Sequence, residues 1–145
     1  MEHLTILNDL RSQGFRITNI RKALVSVLSK SPQPLSVSQI LSKFHKNDLT
    51  ANKTTVYREI DFLKKLNIVR EVEFGDGKKR YELLGADHHH HIVCVKCANI
   101  SDFDFDIDLK KHERSIEKQT GYMIMEHSIE FFGVCQNCQR NKKIA

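Results

Sequence analysis

Residues 50–84, TANKTTVYREIDFLKKLNIVREVEFGDGKKRYELL, change their hydrophobic period partway along. Val56, Ile60, Leu63 and Leu66 follow the 3.6-residue repeat of a helix that buries one face. After Asn67 the period becomes two, so residues 68–74 and 79–84 read as strands around the tight turn Gly75-Asp76-Gly77. A helix that runs into a two-stranded ribbon is the closing part of a winged helix.

The preceding residues supply the rest. Residues 4–13 read as a short amphipathic helix, with Leu4, Leu7 and Leu10 on one stripe and Gly14 ending it. A second helix, capped by Thr18, buries Ile20, Leu24, Val27 and Leu28, and Ser31-Pro32-Gln33-Pro34 breaks it. A third, opened by Ser36 or Ser38, carries Val37, Ile40, Leu41 and Phe44.

Thr54, Thr55, Tyr57 and Arg58 lie at the front of the long helix, where a recognition helix meets a DNA groove. Arg58 can contact phosphate or pair with guanine, Tyr57 can offer a hydroxyl or an apolar edge, and the threonines allow close approach to the backbone. Lys78, Lys79 and Arg80 place positive charge at the wing. The competing reading makes Tyr57 a partly buried core aromatic and Arg58 a solvated surface residue. Charge favours the DNA reading weakly: residues 1–87 hold 15 Lys/Arg against 10 Asp/Glu, which is the whole net charge of +5.

The second part has little apolar material for a core of its own, so a metal and a partner subunit would both stabilise it. Residues 92–95 and 99–105 are strand-like, 108–119 suit a charged helix, and 122–132 form the longest extended run. All four cysteines lie in two Cys-x-x-Cys units, Cys94/Cys97 and Cys135/Cys138. Each two-residue spacer lets both thiolates turn to one ion, so the four suit a closed tetrahedral zinc site, one per subunit. Disulfides would require an export signal that the N-terminus lacks, and redox pairs are rarely duplicated in this way. No apolar run approaches a membrane span, so a cytoplasmic protein is expected.

His88 to His91 precede the first pair. In an extended segment alternate side chains point to opposite faces, so His89 and His91 form one pair and His88 and His90 another. Glu82 and Asp102 can complete the first, and His127 with an acid from residues 104–113 the second. Nitrogen and oxygen donors suit zinc, iron or manganese alike. The alternating Asp102, Asp104, Asp106 and Asp108 otherwise read as a solvated strand face and helix start.

Thr55-Val56-Tyr57-Arg58, the glycine-containing wing, the His88 to Cys97 segment, and His127-Ser128 with Cys135 and Cys138 together resemble the ferric uptake regulator family. The resemblance covers essentially the whole chain. It implies an α/β (α+β) protein: a winged-helix DNA-binding domain over 1–84, a hinge over 85–91, and an α/β dimerisation and metal-binding domain over 92–145. It further implies a cytoplasmic homodimer that represses genes by binding palindromic operator DNA when metallated.

By position, the cysteines match the structural zinc ligands. Glu82, His89, His91 and Asp102 match a regulatory site for Fe2+, Mn2+ or Zn2+, and His88, His90 and His127 a second one. Tyr57 and Arg58 match the recognition-helix contacts. Two departures stand out. The histidine that the family's hinge site takes from the DNA-binding domain corresponds to Pro34, with Glu71 and His45 as substitutes. The acid of the second site falls near Leu109 or Lys110, neither of which can serve, so either Asp108, His112 or Glu113 replaces it after a register change or the site is incomplete. Asp102 is an aspartate, as in the peroxide-responsive branch, which is the alternative regulator. A non-DNA zinc-binding or storage protein is a further rival. A zinc enzyme is disfavoured because no His-Glu-x-x-His or deaminase motif occurs.

Overall fold

The computed structural model describes residues 3–85, 90–105, 107–125, 127 and 129–141, and the chain divides into two units, residues 1–87 and 88–145. In the first unit side-chain caps set where helices begin. Helix α1 spans His3–Ser12, α2 Asn19–Lys30, α3 Val37–Lys46 and α4 Lys53–Lys65. The Thr18 hydroxyl accepts the Arg21 N–H at 3.1 Å, and Asn52 Oδ1 accepts that of Thr55 at 2.8 Å. Ser36, not Ser38, opens α3 through a reciprocal capping box with Gln39.

Strands β1 (Val69–Glu73) and β2 (Lys79–Leu83) then form the antiparallel wing, with Arg70 opposite Glu82 and Val72 opposite Arg80. Gly75 and Gly77 both take positive φ in its turn, which a side chain would disfavour. Leu35 and Tyr81 exchange backbone hydrogen bonds of 2.8 and 2.9 Å, adding a single antiparallel bridge beside β2. In that register Pro34 falls opposite Glu82, at a position between ladder bonds where the missing N–H costs nothing.

Leu10, Leu24, Val25, Ile40, Phe44, Val56, Ile60 and Leu63 are sealed in the core between the helices, and Val69 and Tyr81 join it from the wing. The stripe expected on α1 is corrected: Ile6, Leu7 and Leu10 are buried, while Leu4, in the first turn, is 55% exposed. Burial pushes the Tyr81 hydroxyl up to about 12, so it stays protonated.

In the second unit β3 (His90–Cys94) is central, with β4 (Ile100–Phe103) antiparallel on one side and β5 (Glu130–Gly133) parallel on the other. Helix α5 (Leu109–Thr120) follows β4 and ends at Gly121, whose positive φ closes it; α6 (Gln136–Arg140) follows β5. Three expectations change here. His90 and His91 belong to β3, because both pair with β4, rather than to a hinge. The first β4 residue is Ile100 and its last is Phe103, short of the expected end at 105. Among the described residues of the run 122–132, strand begins at Glu130: the Ile124 N–H is taken by Glu117 Oε1 at 2.8 Å instead of by a ladder. No described helix is long and apolar enough to cross a membrane.

Candidate metal centres and nucleic-acid interface

Cys94 ends β3 and Cys97 lies in the turn that follows it, where Ala98 adopts φ 61°. Cys135 caps α6 and Cys138 lies one turn further along. The parallel pairing of β3 with β5, extended by the Val95 N–H bond to Gly133 at 2.8 Å, sets the second pair beside the first. All four sulfurs lie within 4.8 Å of one another, and Cys97 and Cys135 are 3.7 Å apart. Zinc–sulfur bonds of about 2.3 Å in a tetrahedron require sulfur separations of about 3.8 Å, so the cluster fits zinc.

The thiols are electrostatically divided. The Cys135 backbone N–H, 3.3 Å from the Cys94 sulfur, and the N–H groups of Cys97 and Lys96 lower the Cys94 pKa to about 6. Cys138 is pushed up to about 12, chiefly because its thiol donates to the Cys135 sulfur. A negative sulfur thus forms readily beside Cys97 and Cys138, whose thiols give up their protons less easily than usual. A dication is what allows all four to ionise together.

His91 and Asp102 face each other across β3 and β4, with His91 Nδ1 2.6 Å from Asp102 Oδ1. The imidazole is 5% exposed on its side chain, and the carboxylate orients it by fixing one ring nitrogen. His90 points into an aromatic cluster, its ring 5.1 Å from Phe105, which with Phe103 also packs on Phe131. His88 and His89 lie outside the described residues, as do Asp106 and Ser128.

His127 Nδ1 lies 2.5 Å from Glu113 Oε1, so of the acids expected near this histidine it is Glu113 that meets it. Asp108 is not available for this role, since its side chain caps α5 at the Lys111 N–H. His112 is exposed. Within the second unit, the four cysteines are the one group of three or more metal-type donors close together among the described residues.

Glu82 is 8% exposed, and Arg70 holds it across the wing through Nε at 2.6 Å and through a second guanidinium nitrogen. Glu71, considered above as a substitute ligand, is instead bonded to Lys64 at 2.9 Å and lies 3.5 Å from Lys79. The Lys64 hydrogen bond, with both lysine charges, lowers its pKa. His45 is exposed near the end of α3.

On α4 the inward residues Val56, Ile60 and Leu63 are sealed, which turns Thr54, Tyr57 and Arg58 outward. Tyr57 is 45% exposed, so it is not a core aromatic. Thr55 is half-buried. Lys78 and Lys79 are exposed on the wing, but Arg80 corrects the expectation. Its side chain is 9% exposed, bonded to Asp76 at 2.8 and 3.3 Å, with its guanidinium 5.3 Å from the Phe74 ring centre. Its partner on the ladder is Val72, so it lies along the apolar face and braces the turn instead of projecting charge.

The sequence reading missed what holds α4 in place. Arg21 of α2 makes a two-point contact with Glu59 at 3.0 and 3.1 Å and bonds the Arg16 carbonyl at 2.5 Å. Its guanidinium stacks 3.9 Å from the centre of Phe62, which Phe15 meets edge-on. Nothing local signals a pair 38 residues apart.

A sequence profile of the ferric uptake regulator family matches residues 12–132. The ferric uptake regulation protein of Bacillus subtilis is 33% identical over 137 residues, 92% of this chain and 91% of that protein. The Helicobacter pylori ferric uptake regulator, described as having three functional metal binding sites, superposes with a TM-score of 0.77 at 26% identity, covering 96% of this chain and 95% of that one. PerR of Streptococcus pyogenes, described as peroxide sensing, gives a TM-score of 0.53 at 29% identity, covering 94% and 92%.

Proposed function

The chain belongs to the ferric uptake regulator family of metal-responsive transcription regulators, and on that premise we propose that it is a cytoplasmic homodimeric repressor that binds palindromic operator DNA when metallated. The observation that carries the DNA half is the anchored α4, which turns Thr54, Tyr57 and Arg58 to solvent beside the lysines of the wing. Lys78 and Lys79 contact phosphate, and Thr54, Thr55, Tyr57 and Arg58 meet the groove.

Two copies join through the second unit. Among the described residues its edge strand β5 pairs on one side, Phe132 within it is 52% exposed, and Tyr122, Met123 and Met125, earlier in the sequence, are 76–83% exposed. A second subunit covers such an edge and such residues. The cysteine cluster holds a permanent zinc. The regulatory metal is taken by Glu82, His89, His91 and Asp102, and a second by His88, His90, His127 and Glu113. Metal binding then favours the form of the dimer that fits the operator. By linkage, operator DNA then tightens metal binding by the same factor.

A peroxide-responsive regulator is the second reading, supported by Asp102 and by the similarity to the S. pyogenes protein. Operator binding followed by fluorescence anisotropy, with Fe2+, Mn2+ and Zn2+ titrated separately and peroxide added to each, separates the two. Arg58→Ala should weaken operator binding by about 1–3 kcal/mol while leaving the dimer intact. Unchanged affinity would remove α4 from the interface. His91→Ala should abolish metal stimulation and keep the zinc.

A further inference from the structure

We propose that Arg70 is an internal competitor for the regulatory metal, so that a divalent cation gains Glu82 only by displacing the guanidinium. The inference rests on the reading of Glu82 as a ligand given above, and it concerns what sets the metal level at which the protein responds.

The two side chains face each other directly on neighbouring strands, and the carboxylate is deeply placed, 10% exposed on its side chain against 32% for the arginine. On the other side of β2 the Leu35–Tyr81 bridge places Pro34 opposite Glu82. One strand neighbour of Glu82 is therefore a cation already bonded to it, and the other residue has no donor for a metal.

Both guanidinium nitrogens sit on Oε1 of Glu82, so a metal ion seeking this carboxylate competes with a cation already drawing on its charge. Were both to remain, three positive charges would face two carboxylates, Glu82 and Asp102, and beside the deeply placed Glu82 that repulsion is poorly screened. The metal therefore binds the fraction of molecules in which Arg70 has let go. Its apparent dissociation constant rises by the reciprocal of that fraction.

A partly buried, charge-assisted pair of this kind should weaken metal binding by about 5- to 30-fold relative to a chain without it. Arg70 is in this account a positioning residue: it contacts the ligand and not the metal. It is the more exposed member of the pair, so it can swing out without opening the core.

The test uses the full chain with its zinc in place, titrated with Mn2+ against a fluorescent chelator. Arg70→Gln should tighten Mn2+ by about 5- to 30-fold, and Arg70→Lys, which keeps the charge but loses the two-point contact, by less. Glu82→Gln should weaken Mn2+, and adding Arg70→Gln to it should then change nothing further.

Unchanged or weaker binding in Arg70→Gln, with Glu82→Gln still weakened, overturns the competition while leaving Glu82 a ligand. Unchanged binding in Glu82→Gln overturns the ligand assignment and the proposal with it. If circular dichroism shows that Arg70→Gln does not fold, Arg70→Lys decides: tightening supports competition, and wild-type affinity overturns it.

Discussion

Stripping the zinc should unfold the second unit and leave the first standing. Among the described residues the second unit seals only Val93, Cys94 and Ile100 among its apolar side chains, and α5 buries none. Val93 and Ile100 contribute about 1.5–3 kcal/mol each, whereas every ordered residue costs about 1–2 kcal/mol of backbone entropy. A four-thiolate zinc contributes on the order of 10–16 kcal/mol, more than those two side chains together. The first unit has its own cluster, from Ile6 on α1 to Tyr81 on the wing, and needs no ion.

The size of the change follows from the helices. Those of the second unit hold 12 and 5 residues, against 10, 12, 10 and 13 in the first, so about a quarter of the helical ellipticity should vanish. The assay adds a strong chelator to the full chain, counts released zinc with a colorimetric dye, and records circular dichroism at each step. Zinc added back should restore the signal. Full ellipticity after loss of one zinc per chain would refute the reasoning, and so would collapse of the first unit alongside the second.

Other outcomes follow from the first unit. Arg21→Ala should destabilise it by about 2–4 kcal/mol, since Glu59, 16% exposed on its side chain, would lose a two-point partner. A urea midpoint within experimental error of the wild type would show that the clamp holds nothing. Glu71, whose pKa lies below its ordinary 4.5 because of Lys64, stabilises the fold above that value, and the contribution fades as pH falls through its lowered folded pKa. Glu71→Gln should therefore flatten the acid limb of the melting curve by no more than about 1 kcal/mol, the pair being partly exposed. An unchanged acid limb would contradict the assignment.

The winged helix was legible because its signals are local. Capping residues Thr18 and Ser36, the change of period after Asn67 and the turn at Gly75-Asp76-Gly77 each act within a few residues of themselves. The cysteine cluster was legible for a related reason: two short spacers and one soft donor type leave few arrangements. The run 122–132 misled because exposed apolar residues imitate a strand's alternation, while strand length depends on which neighbours the sheet provides.

By itself the sequence determined helices α1 to α5, the ribbon, the cysteine set suited to zinc and the outward face of α4, since period and spacing are properties of contiguous chain, whereas α6 after Cys135 went unread. Only the tertiary structure decided which charges are engaged. Arg80 braces Asp76, Glu71 is held by Lys64, Glu113 reaches His127, and Arg70 occupies Glu82. An ion pair depends on distance in space, and residues 4 to 14 positions apart meet or miss according to how strands register and helices dock.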